Sequence, residues 1–258
     1  RGRDFALILQ SLDNLGYNVE WRIINAADYG MPQRRRRTYI LAYKRDTTIA
    51  NQMAEPMDWL TLDGVFAHQF PIAELNLEVN PFTIKKHDDD DLITISNHFN
   101  EDNKIRPFSN AGVMVNGQVW TVSVEPNYDG PRTLLGDILA TGEDRRFITE
   151  DYYIPEEALP QWQYLKGSKR EERTATNGHK FFYSEGRMAF PDPLDRPSRT
   201  IITSEGGTGP SRFKHVIRDP ENGRLRRLIP LELERLDMFP DNHTAGQTDS
   251  KRAFFMGN

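Results

Sequence analysis

The stretch Arg226-Arg-Leu-Ile-Pro-Leu-Glu-Leu-Glu-Arg-Leu-Asp-Met-Phe-Pro240 constrains the fold more than any other part of the chain. Pro230 suits the first turn of a helix, where its missing N–H costs nothing, and Pro240 stops that helix after Phe239. Leu233 and Leu236 then share a face, and Arg235 is held as a fixed cation in a short element. Taken alone, the pattern predicts a small surface helix whose charges are solvated.

The spacing Arg-x-Leu-x-Pro-x-Glu-x-x-Arg-Leu-x-x-Phe-Pro resembles the late motif of the DNA cytosine-5 methyltransferases. Arg226, Leu228, Pro230, Glu232, Arg235, Leu236, Phe239 and Pro240 stand in the family's places, and the resemblance makes Arg226, Glu232 and Arg235 structural. A second stretch, Asn25-Ala-Ala-Asp-Tyr-Gly-Met-Pro-Gln-Arg-Arg-Arg-Arg37, lies far upstream. Four arginines at a strand entrance have a plain reading, a solvated cluster open to any anion. On an extended segment, Gln33, Arg35 and Arg37 would point one way and Arg34 and Arg36 the other, so three polar groups line one site. The stretch looks like the family's eighth motif. By that resemblance Arg35 and Arg37 sit beside a flipped cytosine and help to order the catalytic loop, and Gln33 contacts DNA.

Around these two stretches the chain opens in helical periodicity, with Phe5, Ile8, Leu9, Leu12 and Leu15 on one face and Gly16 as C-cap. Tyr17 to Ile24 alternates as a strand does, and Thr38 to Tyr43 reads as a second, more buried strand. Asn116-Gly117, between two apolar runs, is a hairpin signal, and Leu134 to Leu139 suits a short helix. The run Lys85 to Asp91 lacks the glycine and terminal glutamate of a calcium loop and reads as a solvated acidic loop with no metal. The histidines show no paired zinc spacing.

From Trp162 the sequence mixes cations with aromatics: Lys166, Lys169, Arg170 and Arg173, then Lys180, Phe181, Phe182 and Tyr183. Such mixing suits a nucleic-acid surface, and a charged edge over an aromatic core is the plainer expectation. Then comes Arg196 to Lys214, rich in glycine and small hydroxyl residues that let a backbone approach phosphates or base edges. It resembles the target-recognition region of the same methyltransferases, with Thr200-Ile201 as the nearest match to the family's Thr-Leu pair. The implied DNA contacts are Arg199, Thr200, Ile201, Ser204, Gly206, Gly207, Ser211, Arg212 and Lys214. The final Phe-Phe-Met-Gly-Asn258 looks like the opening of the tenth motif, where Gly-Asn begins a helix near the methyl donor; that puts Asn258 at the cofactor, S-adenosylmethionine.

Composition bears on the partner and on the chemistry. The formal charge is −5, yet residues 1–45 carry nine Lys/Arg against four Asp/Glu, 46–160 seven against twenty-one, and 161–258 seventeen against thirteen. If DNA is bound, the two basic ends should face it. No apolar run approaches a membrane span, and the chain reads as soluble and cytoplasmic, or nucleoid-associated in a bacterium. There are 0 cysteines. By resemblance the reaction needs one: a thiolate adds to cytosine C6, making C5 nucleophilic toward the donor's methyl group, after the base has left the stack.

The Phe-x-Gly-x-Gly donor loop and the Glu-Asn-Val segment are also missing. The expected fold is therefore an α/β fragment: the last helix and strand pair of an S-adenosylmethionine-dependent methyltransferase sheet, plus a mixed α+β target-recognition domain. Residues 1–45 would belong to the catalytic domain, 46–240 to the recognition domain, and 241–258 would return to the catalytic domain. The partners implied are double-stranded DNA, an amino-terminal catalytic half and, in a restriction-modification system, a cognate endonuclease. Without that half, Leu7, Leu9, Trp21 and Ile40 are expected to be exposed. Two rivals remain: a separately encoded DNA-specificity subunit that needs the same arginines, and an acidic interaction module resting on the −14 middle.

Overall fold

Phe5, Leu9 and Leu12 recur at helical spacing, and α1 (Arg3–Asn14) forms on them in a computed structural model that describes residues 2–75, 78–99 and 107–258. The helix ends where expected, with Gly16 at a φ of +81° that a side chain would resist. Its apolar face is narrower than the sequence implies, because Ile8 and Leu15 are 45% and 69% exposed.

The next two strands, β1 (Tyr17–Asn25) and β2 (Arg36–Lys44), pair antiparallel, with Tyr17 opposite Lys44 and Asn25 opposite Arg36. Three more strands, β3 (Phe82–Thr83), β4 (Ala111–Val115) and β5 (Gln118–Val122), complete an antiparallel sheet in the order β2-β1-β4-β5-β3. Asn116 and Gly117 both take positive φ, 49° and 78°, which is the two-residue turn the Asn-Gly pair requires. The described residues therefore form a mixed α/β fold with an antiparallel sheet.

The relative burial of the first two strands reverses the expectation. β2 lies at the sheet edge and is largely exposed, whereas β1 is interior and buried on both faces. One face of β1 packs Val19 and Trp21 against Leu9, Met114 and Val119. Trp21 lies over Gly112, where an added Cβ would come within 2.2 Å of the indole ring. Leu9 and Trp21 are thus covered by this chain's own residues, contrary to the exposure expected of them.

The polar face of β1 is buried too, and each of its charges has partners. Arg22 donates to the carbonyls of Leu60, Phe66 and Phe70 at 2.7, 3.1 and 2.8 Å. Glu20 accepts the Tyr43 hydroxyl, and burial raises its carboxyl above the usual range despite Tyr43 and Arg22. The acidic run is a capped turn: Asp91 accepts the Thr94 N–H at 2.7 Å at the start of the helix Leu92–Asn97. Among the described residues no acidic or histidine cluster suits a metal, and no helix is long and apolar enough to cross a membrane.

The chain divides into two compact units, one of residues 1–29 and 36–130, the other of 30–35 and 131–258. These units cut across the segments 1–45, 46–240 and 241–258, which concern parentage rather than compactness. In the second unit a short helical turn (Leu135–Ile138), two strands β8 (Val216–Arg218) and β9 (Leu225–Arg227), and the helices Pro230–Leu236 and Asp249–Gly257 enclose a core of Leu135, Ile201, Ile217, Leu233 and Met256. A separate ribbon, β6 (Lys169–Thr174) with β7 (Lys180–Glu185), makes its own two-stranded sheet.

The Pro230 helix ends at Leu236, earlier than Phe239, because Met238 adopts a φ of +61°. It is not a solvated surface helix either. Leu231, Glu232, Leu233, Glu234 and Leu236 are all buried, and the two carboxylates are 0% exposed. A further helix likewise begins at Asp249, capped by the Thr248 hydroxyl, so that Gly257 lies well into a helix instead of opening one.

Candidate functional site

Residues 30–35 leave the first unit's chain path and lodge in the second, and the hydrogen bonds explain why. Gln33 is 2% exposed. Its amide nitrogen donates to Asp237 Oδ1 at 2.7 Å and toward the Leu236 carbonyl at 3.4 Å, and its amide oxygen accepts the Ile201 N–H at 3.3 Å. Ser198 N–H donates to the Pro32 carbonyl at 2.7 Å, and the Arg34 N–H to the Ser198 carbonyl at 2.8 Å. The Thr200 hydroxyl closes on the Arg34 carbonyl at 2.6 Å. Three stretches far apart in sequence, around residues 33, 200 and 236, thus meet at one buried amide.

This joint bends the arginine run. Arg35 N–H donates to the Gln33 carbonyl at 3.0 Å, a tight turn that interrupts the extended alternation expected of Gln33, Arg35 and Arg37. Arg35 donates from Nη2 to the Asn258 carbonyl at 3.1 Å, while its Nη1 is buried with no partner. Arg37 lies on exposed β2 in the other unit and donates from Nη1 to the Arg36 carbonyl at 2.8 Å.

The stretch 198–215 is fastened from beneath. His215, 0% exposed, places Nδ1 2.7 Å from Glu205 Oε1 and Nε2 2.9 Å from Ser198 Oγ. Glu205 also accepts the His215 N–H at 2.9 Å. The residue types match a hydrolytic triad, but Ser198 and Glu205 are only 4% and 5% exposed, so no substrate reaches the hydroxyl. The arrangement braces the two ends of a loop.

The cations that the sequence offers to phosphate are engaged in the same bracing. Lys214 Nζ donates to the carbonyls of Gly207 and Gly209 at 3.0 and 2.8 Å, drawing the glycine loop around itself. Arg199 pairs with Asp192 at 2.8 Å and donates to the Phe213 carbonyl at 2.8 Å. Burial pushes the Asp192 carboxyl up, but its bonds to Arg199 outweigh that and hold it below the usual range. Arg212 donates to the carbonyls of Leu165, Gly167 and Gly186, at 2.9 and 3.0 Å for the first two, and so clamps the base of the β6–β7 ribbon. Ile201 is 1% exposed and belongs to the core. Of the residues named from sequence, Ser204 and Gly207 are exposed, and Thr200, Gly206 and Ser211 are half-buried.

The ribbon has no aromatic core beneath it. Phe181 and Phe182 are 41% and 59% exposed, with Arg170 stacked over Phe182 at 4.5 Å and Arg173 over Tyr183 at 3.7 Å. The late-motif charges form two separate clusters, a buried one around Arg226 and a partly exposed one around Arg235. Arg226 bonds both oxygens of Glu232 at 2.7 and 2.8 Å and Asp219 at 3.0 Å, and Arg235 spans Asp144 and Asp241, each at 2.7 Å or less. Glu232 further accepts the N–H groups of Ile229 and Ala140 at 3.0 and 2.9 Å.

Sequence reasoning missed Asp192, Glu205 and His215 and set Lys166 on a charged surface, because isolated polar residues give no hint that they face inward. Lys166 is buried, donates to the Lys214 carbonyl and stands 5.9 Å from the Trp162 ring centre; burial, aided by Arg199, lowers its ammonium to about 8. Gly257, read as part of a helix-opening Gly-Asn pair, proves to be a packing glycine. A Cβ there would lie 2.2 Å from the Ile202 carbonyl carbon, so its helix touches the recognition stretch backbone to backbone.

Comparison with known proteins places the chain in a family. The family model described as C-5 cytosine-specific DNA methylase matches residues 1–258. The type II methyltransferase M.Sau3AI of Staphylococcus aureus is 40% identical over 100% of this chain and 59% of its own length. M.NlaIV of Neisseria lactamica is 49% identical over 15% of this chain and 9% of its own length, and M.HhaI of Haemophilus parahaemolyticus 31% identical over 22% and 18%. A solved structure of the Entamoeba histolytica methyltransferase EhMeth aligns with a TM-score of 0.45 at 14% identity over 98% of this chain and 52% of that one, too loose a likeness to carry an argument. The chain thus spans 59% of the length of the full-coverage relative. It belongs to the C-5 cytosine-specific DNA methylase family.

Proposed function

We propose that these residues are the carboxy-terminal portion of a DNA (cytosine-5-)-methyltransferase of a type II restriction-modification system, and that they hold target recognition beside the eighth-motif arginines. The observation that carries the reading is the Gln33 joint. A loop named by resemblance for the reacting base and a stretch named for target recognition are hydrogen-bonded to each other at 2.6 to 2.8 Å. A catalytic arginine loop needs that register if the base it meets is to be the one recognised.

In this reading Arg35 and Arg37 stand at the extruded cytosine. The unpartnered Nη1 of Arg35 supports the assignment, since a buried N–H donor lacking an acceptor costs about 1–3 kcal/mol and is relieved by a base carbonyl. Thr200, Ser204, Gly206, Gly207 and Ser211 form the DNA-facing surface, while Gln33, Ile201, Arg199, Arg212 and Lys214 act from beneath it by fixing the loop. Residues 1–45 and 241–258 would belong to the catalytic domain and 46–240 to the recognition domain.

S-adenosylmethionine is the methyl donor of the family and supplies an electrophilic methyl group when bound. By the resemblance Asn258 stands near that donor, and the other groups that would hold it belong to the family's preceding motifs, among them the Phe-x-Gly-x-Gly loop that this sequence does not contain. Nor does the chain hold a thiol for the covalent step, having 0 cysteines. The thiolate and the donor loop would come from the remaining 41% of a protein the length of M.Sau3AI, of which 59% is spanned here.

The test is bisulfite sequencing of DNA from cells expressing the whole reading frame. Cytosines protected in one short duplex context are the expected result. Complete conversion despite good expression would overturn the enzyme and favour a separate specificity subunit. Arg37→Ala in the whole enzyme is expected to lower the methylation rate far more than DNA affinity.

A further inference from the structure

With Arg199, Arg212 and Lys214 engaged internally, the second unit must meet phosphate with other cations if it binds DNA at all. A cavity of about 360 Å³ gathers them: Arg34, Arg187, Arg196 and Arg199 line it together with Asp192, over an apolar floor. The cleft adjoins the Gln33 joint, because Arg34 also points Nε toward the Ser198 carbonyl at 3.4 Å.

The charge balance of this cleft is one-sided. The Asp192 carboxylate is already committed to Arg199 and to the Val216 N–H, at 2.8 and 3.0 Å. Arg187 is exposed and forms no ion pair or hydrogen bond among the described residues. Arg196 pairs only with its neighbour Asp195 at 3.0 Å, and both side chains are more than half exposed, so the pair is weak and easily exchanged. Arg34 is exposed and has no carboxylate partner among the described residues. Arg187 is thus unengaged among the described residues, Arg34 keeps both terminal nitrogens for an acceptor, and Arg196 can exchange its exposed partner for an anion; guanidinium forks match phosphate oxygens bidentately.

We infer that this cleft is a backbone-phosphate site for duplex DNA, in which Arg34, Arg187 and Arg196 each take a phosphate oxygen while Arg199, held by Asp192, shapes the floor. The inference rests on the recognition reading above and adds residues that neither motif names. It also assigns a role to the loop's internal cations. They hold the base-reading edge rigid while these three supply the sequence-independent attraction.

Titration of a fluorescent duplex with the full 258-residue chain, at salt concentrations from low to physiological, tests it. Each phosphate contact contributes about 0.9 to the slope of log affinity against log salt. Arg187→Ala with Arg196→Ala should therefore flatten the slope by about 2 and weaken binding at low salt by at least about tenfold, with an unchanged far-ultraviolet circular dichroism spectrum. Arg34→Ala should remove about one more unit of slope. Arg187→Gln with Arg196→Gln, which keeps hydrogen bonding without charge, should flatten the slope as the alanine pair does.

An unchanged slope in the folded double variant, with the parent chain binding well, would overturn this assignment and leave the recognition reading intact. No detectable binding by the unsubstituted chain at low salt would overturn both.

Discussion

In the five-stranded sheet, Leu9, Val19, Trp21, Met114 and Val119 close one face by apolar contact, and the charges of β1 are satisfied mainly by carbonyls and one hydroxyl. In the second unit, the chain around residues 192–237 is tied by side chains reaching across: Asp192 to Arg199, Glu205 to His215, Arg226 to Asp219 and Glu232, Glu234 to Arg252. A sheet gains its geometry from repetition of the backbone ladder, so its side chains need only fill space. A loop-rich unit has no ladder to set its shape, and buried polar partners specify it instead. The first kind of order tolerates volume-conserving change, and the second fails when one partner is lost.

The contrast is tested most severely at Glu232. Glu232→Ala would leave the fully buried Arg226 with Asp219 as its remaining carboxylate and should cost about 3–5 kcal/mol, read as a fall in the urea midpoint. A cost no larger than that of a surface change would sink the idea that paired charges specify this unit. Leu9→Ala in the sheet should cost about 3 kcal/mol by cavity formation. Leu9→Met should cost far less, and equal losses for the two would mean that volume does not govern that face.

Acid titration separates the units by sign. Burial pushes the Asp219 carboxyl up, but bonds from Arg145, the Glu221 N–H and Arg226 outweigh it and hold it at about 2. A carboxyl held below its unfolded value contributes stability that is complete above about pH 4 and is lost as pH falls toward 2. Asp219→Asn should remove that acid dependence, seen in urea midpoints between about pH 5 and 2. Glu20 runs the other way: its raised carboxyl favours the protonated form, so its ionisation weakens the sheet as pH rises through the raised value. The smallest effect is expected at the hairpin, where Gly117→Ala at a φ of 78° should cost about 1 kcal/mol.

What the sequence disclosed follows the same division. α1 with its Gly16 end, the β1–β2 pair and the Asn116-Gly117 turn are local, and their signals lie within a few residues of where they act. The burial of β2 was misread, because strand composition does not say which strand is at an edge. The arginine loop and the stretch 196–214 were recognisable as a pair by resemblance, yet the roles within them were not. Arg199, Arg212 and Lys214 look like surface cations until Asp192, Leu165, Gly186 and Gly207 are seen to face them. A charge run says how many cations there are, and only tertiary contacts say which of them are still free.

Under the proposed function, the Gln33 joint bears on how the target of such a protein could change. On the recognition side it engages the Ser198 N–H and carbonyl and the Ile201 N–H, all main-chain atoms, with the Thr200 hydroxyl as the exception. The docking socket is nearly blind to side-chain identity. Outward residues such as Thr203, Ser204 and Thr208 make none of these bonds, so, if the stretch reads DNA as proposed, they can be exchanged for a new recognition sequence without unseating the loop.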